Sequence, residues 1–238
     1  MSDLSSISNQ PGGGLIVAVD GPSGAGKSTV CRAVAAQLGA KYLDTGAMYR
    51  VATLHVLREG IDPTDTAAVI AATASIPLSV NDDPASREVL LGGEDVSKDI
   101  RSTEVNRAVS AVSAVPEVRE NLVAKQRELS AQAHRCILDG RDIGTTVLPD
   151  APVKVFLTAS AEVRARRRFE QEQATGIDSD YETVLADVIR RDELDSNRAV
   201  SPLRPAEDAI ILDTSELTLE QVIDTLITLI EKSAEGKN

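Results

Sequence analysis

Apolar residues in this chain fall into short unbroken runs that alternate with longer stretches in which they recur every three or four positions. Leu15–Asp20 (LIVAVD), flanked by glycine on both sides, reads as a strand buried on both faces. From Lys27 to Leu38 the apolar positions Val30, Val34 and Leu38 fall four apart and Gly39 follows as a stop, which predicts a helix. Lys41–Leu43 continues as a second strand, and Thr45 caps a helix running to about Glu59, with Gly60 at its end. Further strands are expected at Cys136–Asp139, Val153–Leu157 and Ile210–Asp213, and helices at about 160–175, 180–193 and 218–232. Two more helices, about 102–115 and 116–133, meet at Pro116, which suits a first helical turn. The alternation predicts an α/β fold, a parallel sheet with helices on both faces.

Between Asp62 and Lys98 the rhythm changes. Ile76–Val80, the turn Asn81–Pro84, Arg87–Leu91 and the Gly92–Gly93 turn predict a small antiparallel meander, an insertion or subdomain. Residues 1–13 carry no periodic pattern and are expected to form a flexible tail.

Composition narrows the reading. At 238 residues there is room for one such domain with insertions. With no Trp, three Tyr and two Phe, the core must be aliphatic. A net charge of −12 argues against general affinity for nucleic acid or anionic membranes, because the summed field repels polyanions. Within that acidic whole stand 18 Arg against 7 Lys, a bias that suits phosphate, since the guanidinium fork matches it bidentately. Cys31 and Cys136 fall in predicted core segments and read as buried thiols, while His55 and His134 are isolated. The N-terminus lacks the basic and apolar regions of a signal peptide and no apolar run is long enough to span a bilayer, so the expected location is the cytoplasm.

The most specific chemistry lies in GPSGAGKS, Gly21–Ser28, which satisfies G-x-x-x-x-G-K-[ST] between a strand and a helix. Gly21, Pro22, Ser23, Gly24, Ala25, Gly26, Lys27, Ser28 and Thr29 are therefore the expected ATP-binding residues. Glycines let successive N–H groups point at phosphate oxygens, and the helix beginning at Lys27 adds its positive end. Lys27 supplies a point charge, and the hydroxyl of Ser28 or Thr29 can reach the shell of a magnesium ion. No guanine-reading NKxD follows, which removes a GTPase switch.

Four polar clusters suggest a second anionic pocket. In LDTGAMYR, Thr45 and Arg50 read equally as a cap with a surface Arg or as phosphate ligands. In DGRDIGTTV, Asp139, Arg141 and Asp142 follow a strand end, where α/β sheets place ligand-facing groups. In RARRRFEQ, Arg164, Arg167 and Arg168 share one helical face. In RRDELDSNR, Arg191, Asp195 and Arg198 fall on one side of a helix that continues that far; an internal ion network and a prepared phosphate site are both compatible with the spacing.

Taken in order, IVAVDGPSGAGKST, LDTGAMYR, ILDGRDIGTTVLPDAPVKVFLTAS, RARRR and RRDELDSNRAVSPLRPAEDAIILDTS closely resemble bacterial cytidylate kinases, P-loop nucleoside monophosphate kinases, from about Leu15 to Glu231. The resemblance implies a five-stranded parallel core formed by residues 14–61 and 111–238. It also implies a nucleotide-binding insertion over 62–110 and a short mobile helical lid near 160–176. It implies transfer of the γ-phosphate of ATP, with Mg²⁺, to CMP or dCMP. The cytosine readers would be Ser110, Arg119 and Asp142, the sugar readers Arg191 and Asp195, and the phosphate ligands Thr45, Arg50, Arg141 and Arg198. Lys27, Arg141, Arg164, Arg168 and Arg198 are the expected transition-state cations. Thr45 stands where some members have Ser, which keeps the hydroxyl; Ser28 stands where some related kinases have Gly, so Ser28 and Thr29 both stay open for magnesium through water. The expected partners are ATP and CMP or dCMP, with no nucleic acid or membrane, and the expected state is a monomer. The alternatives are a kinase for another nucleotide such as UMP, and a regulatory ATPase using the loop as a switch.

Overall fold

Five of the apolar runs pair side by side. In the computed structural model, which describes residues 14–174, 176 and 178–235, strands β1 (Leu15–Asp20), β2 (Lys41–Asp44), β6 (Arg135–Gly140), β7 (Val153–Thr158) and β8 (Ile210–Asp213) form one all-parallel sheet in the order β2-β6-β1-β7-β8. The tail expected at residues 1–13 lies outside the described residues. Central β1 registers Leu15 against Arg135 of β6 and Val17 against Val153 of β7. The same registers bring Asp20, Asp44 and Asp139 to the carboxyl edge of three adjacent strands.

Alternation along the strands divides the core in two. Val17 and Val19 of β1 and Ile137 of β6 join Val30 and Val34 of α1 (Lys27–Gln37) and Leu226 and Ile230 of α8 (Leu219–Glu235) on one face. Ala18 of β1 and Cys136 and Leu138 of β6 face the other way, into α2 (Thr45–Arg58), α4 (Thr103–Ala114) and α5 (Pro116–Gln132). Both cysteines are buried and free. No helix among the described residues is long and apolar enough to cross a membrane.

The far side of α2 supports a second sheet. β3 (Leu78–Val80), β4 (Val89–Leu91) and β5 (Glu94–Asp95) pair antiparallel, and Val89, Leu91, Val96 and Ile100 pack on Val51 and Leu54 of α2. The β4–β5 turn is Gly92–Gly93, with φ of 59° and 85°, the left-handed pair that a two-residue hairpin requires. An unexpected helix, α3 (Thr66–Thr73), precedes this sheet; Asp65 caps it by accepting the Ala68 N–H, and Val69 buries against α2 and α5. Its alanine-rich TAAVIAAT offers no apolar stripe to read.

The cap of α2 is also displaced by one residue. Asp44, not Thr45, accepts the Ala47 N–H at 2.9 Å, which frees the Thr45 hydroxyl to reach across the sheet. α6 (Ala161–Ala174) and α7 (Tyr181–Ser196) form a helical hairpin with a small cluster of its own, centred on Ala165, Val184 and Val188.

Candidate active site

The loop between β1 and α1 has the shape its glycines allow. A Cβ at Gly21 would stand 2.0 Å from the Leu157 carbonyl oxygen, so only glycine lets the loop leave the sheet here. Gly26 takes φ of 87° and precedes α1 with no side-chain cap, leaving the first N–H groups of the helix for a ligand. Lys27 is buried; its ammonium donates to the Gly21 and Pro22 carbonyls, each at 2.8 Å. Burial, reinforced by Arg141 nearby, pulls its pKa down, a cost that adjacent phosphate charge would reverse.

The two candidate magnesium hydroxyls part company. The Ser28 hydroxyl donates to Asp139 Oδ2 at 2.8 Å, and Tyr42 donates to the same oxygen at 3.1 Å. Thr29 is exposed at the cleft wall. Asp139 is 2% exposed, and burial with Asp44 beside it pushes its carboxyl up. A buried carboxylate next to a second carboxylate and a hydroxyl fits a divalent cation whose other ligands are water and phosphate. No three metal-ligating side chains cluster among the described residues. The Thr45 hydroxyl donates to the Asp139 carbonyl at 2.7 Å, so it braces the same strand end while lining the cleft.

The loop opens into a cleft of about 1280 Å³. On its far wall Arg119, from α5, donates to Asp142 Oδ2 and to the Ser113 carbonyl, and its guanidinium lies 5.1 Å from the centre of the Tyr49 ring. Both members of the Arg119–Asp142 pair are buried. Asp142 Oδ1 has no hydrogen-bond partner among the described residues, and Ser110 lines the same wall. Between this wall and the loop, Arg50, Arg141, Arg168, Arg191 and Arg198 converge. Asp195 takes Arg141 Nε at 3.1 Å on one oxygen and Arg198 Nη2 at 2.9 Å on the other. Burial would raise the Asp195 carboxyl, but Arg141, Arg198 and Arg191 together hold it below its ordinary value. α7 ends at Ser196, so Arg198 lies past the helix and reaches back to Asp195. Arg50 is tied to the Ile100 carbonyl and Asn106. Arg191 Nε is buried without a partner; burial, then Arg141 and Arg50, drive its pKa down to about 9.

The arginines of α6 do not act as one face. Arg168 lines the cleft, pairing with Glu172 at 2.9 Å. Arg167 donates to the Thr214 carbonyl at 2.8 Å and lines the cleft together with Leu217, Leu219 and Val222. Arg164, expected among the transition-state cations, is buried and turned away from the cleft lining. It donates to the Ala159 carbonyl, to the Ser23 carbonyl of the loop at 3.0 Å and to Asp192 of α7. Long guanidinium stems let neighbours on one helical face find different partners. Asp20 went unread as a functional residue: its carboxylate accepts the backbone N–H groups of Ile143 and Gly144. A carboxylate closing the strand before a phosphate loop was the available signal.

With this geometry in place, comparison with known proteins is direct. The family model described as Cytidylate kinase matches residues 17–232. A cytidylate kinase of Corynebacterium diphtheriae is 75% identical over 225 residues, covering 94% of this chain and 98% of its own length. One from Corynebacterium glutamicum is 71% identical over 228 residues, covering 96% and 99%. A cytidylate kinase of Rhodococcus jostii is 59% identical over 224 residues, covering 94% and 98%.

Proposed function

Because the chain belongs to the cytidylate kinase family, we propose that its cleft passes the γ-phosphate of ATP directly to CMP or dCMP, giving CDP or dCDP, with the residues divided as follows. The observation that carries the division is that a phosphate loop and a buried Arg119–Asp142 pair open into one cleft with five arginines between them.

ATP lies with its phosphates in Gly21–Thr29, and its base reaches the apolar end at Leu217, Leu219 and Val222 beside Arg167. The acceptor base meets Ser110, Arg119 and Asp142. Cytosine presents an amino donor beside two acceptors, which complements a carboxylate oxygen next to a guanidinium; uracil places its O4 against that carboxylate. A site built to accept a hydrogen bond rejects such a mismatch by up to roughly 10⁴-fold. Arg191 and Asp195 hold the sugar, and Thr45, Arg50, Arg141 and Arg198 hold the acceptor phosphate.

The acceptor oxygen is already anionic, so transfer requires no base, only alignment and cations on the equatorial oxygens. Lys27, Arg141, Arg168 and Arg198 supply those cations. Lys27 gives up the Gly21 and Pro22 carbonyls to do so. Arg164 contributes through the Ser23 carbonyl and Asp192, locking the α6–α7 hairpin onto the loop as the lid excludes water. Magnesium, held near Ser28 and Asp139, would screen the outer phosphates. We take residues 62–110 as the acceptor-binding insertion. Every group used comes from one chain, so a monomer suffices, and we place it in the cytoplasm with its nucleotides.

ATP consumption measured against CMP, dCMP, UMP, AMP and GMP tests the reading. We expect consumption to depend on CMP or dCMP; consumption indifferent to CMP would sink it in favour of a regulatory ATPase.

A further inference from the structure

Asp20 closes β1 and stands immediately before the phosphate loop, yet no step above uses it. Its side chain is buried, at 4% exposure. Oδ1 accepts the Ile143 N–H and Oδ2 the Gly144 N–H, each at 2.7 Å. Those two residues open the turn Ile143–Val147 that directly follows Arg141 and Asp142. One carboxylate therefore ties the root of the donor loop to the root of the acceptor-reading pair, more than 120 residues along the chain. The fit is close. A Cβ at Gly144 would stand 3.2 Å from Lys154 Cδ and 3.4 Å from Asp20 Oδ2. Burial raises the Asp20 carboxyl to about 6, against the pull of the Gly144 and Ile143 N–H groups, so near pH 7 it is ionised and accepts on both oxygens.

We propose that Asp20 is a positioning residue for acceptor choice: its carboxylate holds the Arg141–Asp142 turn in register with the phosphate loop, so that the acceptor base is read at a fixed separation from the γ-phosphate. This rests on the kinase reading above. A purely structural carboxylate would lower stability and scale activity on every acceptor alike. A register clasp changes the choice between acceptors, because Asp142 discriminates only where its free oxygen meets the base.

The test uses the full chain with saturating ATP, comparing kcat/KM for CMP and UMP, and separately measures KM for ATP. Asp20→Asn keeps the volume but turns an amide N–H₂ against one backbone N–H. Loss of a hydrogen bond to a charged group corresponds to roughly tenfold to hundredfold, expected here in kcat/KM for CMP. The CMP-over-UMP ratio should narrow by about tenfold or more while KM for ATP moves by less than about threefold. An unchanged ratio, with both acceptors losing equally, overturns the positioning role. Should Asp20→Asn fail to fold, Asp20→Glu, which keeps the charge but pushes the carboxylate one methylene further toward the Ile143 and Gly144 N–H groups, is read in the same assay. A narrowed ratio there supports the clasp and an unchanged one overturns it. A wild-type chain whose ATP consumption does not depend on CMP or dCMP overturns the kinase reading itself, which is seen before any variant is made.

Discussion

At the proposed donor end of the cleft the groups offered to a ligand are main-chain N–H groups of one short loop, Gly21–Thr29, with a single buried ammonium. At the acceptor end they are side chains drawn from positions as far apart as Arg50 and Arg198. The donor loop itself carries one cation, held by two of its own carbonyl oxygens. The acceptor side gathers many guanidinium groups, of which Asp195 orients Arg141 and Arg198, Asp142 holds Arg119, and Ile100 and Asn106 fix Arg50. A cradle of backbone dipoles is built once the chain turns correctly, whereas a cradle of like charges must be held open by carboxylates before any ligand arrives. Catalysis and folding stability should therefore separate at the donor end and stay coupled at the acceptor end wherever a guanidinium is held by a carboxylate.

The largest effect tests the donor side. Lys27→Met should lower kcat by about 10³-fold, the upper range for losing one transition-state charge partner. KM for CMP should stay nearly constant, and stability in urea should hold or rise, because burial already disfavours the ammonium. CMP affinity falling as far as kcat would show that the two ends are not separable.

Asp142→Asn tests the opposite end. We expect kcat/KM for CMP to fall by about 10²-fold, because the amide can place a donor where cytosine also donates. KM for ATP should change little. Unlike Lys27→Met, this variant should also lose about 3 kcal/mol in urea denaturation, since Arg119 would keep its buried charge without a counter-charge. Equal losses for ATP and CMP would remove the base-reading role.

The smallest effect is the most pointed. Arg191 is half-buried with its Nε enclosed and unpaired, and it faces Arg141 and Arg50 as well as Asp195. Arg191→Gln should raise KM for CMP about tenfold while stabilising the nucleotide-free protein by about 1 kcal/mol, since three guanidinium groups share the one Asp195 carboxylate and crowded like charge costs free energy. A variant that loses both affinity and stability would make Arg191 a structural cation.

The same division governs how much could be read from residues alone. The parallel sheet, the meander and the phosphate loop follow from local signals: apolar runs, glycine turns and one contiguous motif. The arginines of α6 show where locality ends. Spacing places Arg164, Arg167 and Arg168 on one face, but only tertiary partners decide that Arg164 meets Ser23 and Asp192, Arg167 meets Thr214, and Arg168 lines the cleft. The hydroxyls Ser28 and Thr29 are adjacent in sequence, and only the tertiary fold gives Ser28 a bond to Asp139 while Thr29 stays exposed at the cleft wall. Asp44 rather than Thr45 capping α2 is the same lesson at one-residue scale: both are good caps, and the Asp139 carbonyl claims the threonine. The α3 helix lacks an apolar stripe, because its eight residues owe their helix to the Asp65 cap and to the burial of Val69 and Thr73.

The register of β1 has a consequence for synthesis. Leu15 pairs with Arg135, and Val17 with Val153, so neither neighbour of this central strand exists until more than half the chain has been made. On the ribosome, LIVAVD emerges early and must wait with both its edges and both its apolar faces uncovered, the state in which a strand is most open to wrong partners. A polypeptide that stops before residue 135 would therefore possess every residue of the phosphate loop and no sheet to hold it. The segment with the plainest chemical signature is, during manufacture of the protein, among the last to acquire its working shape.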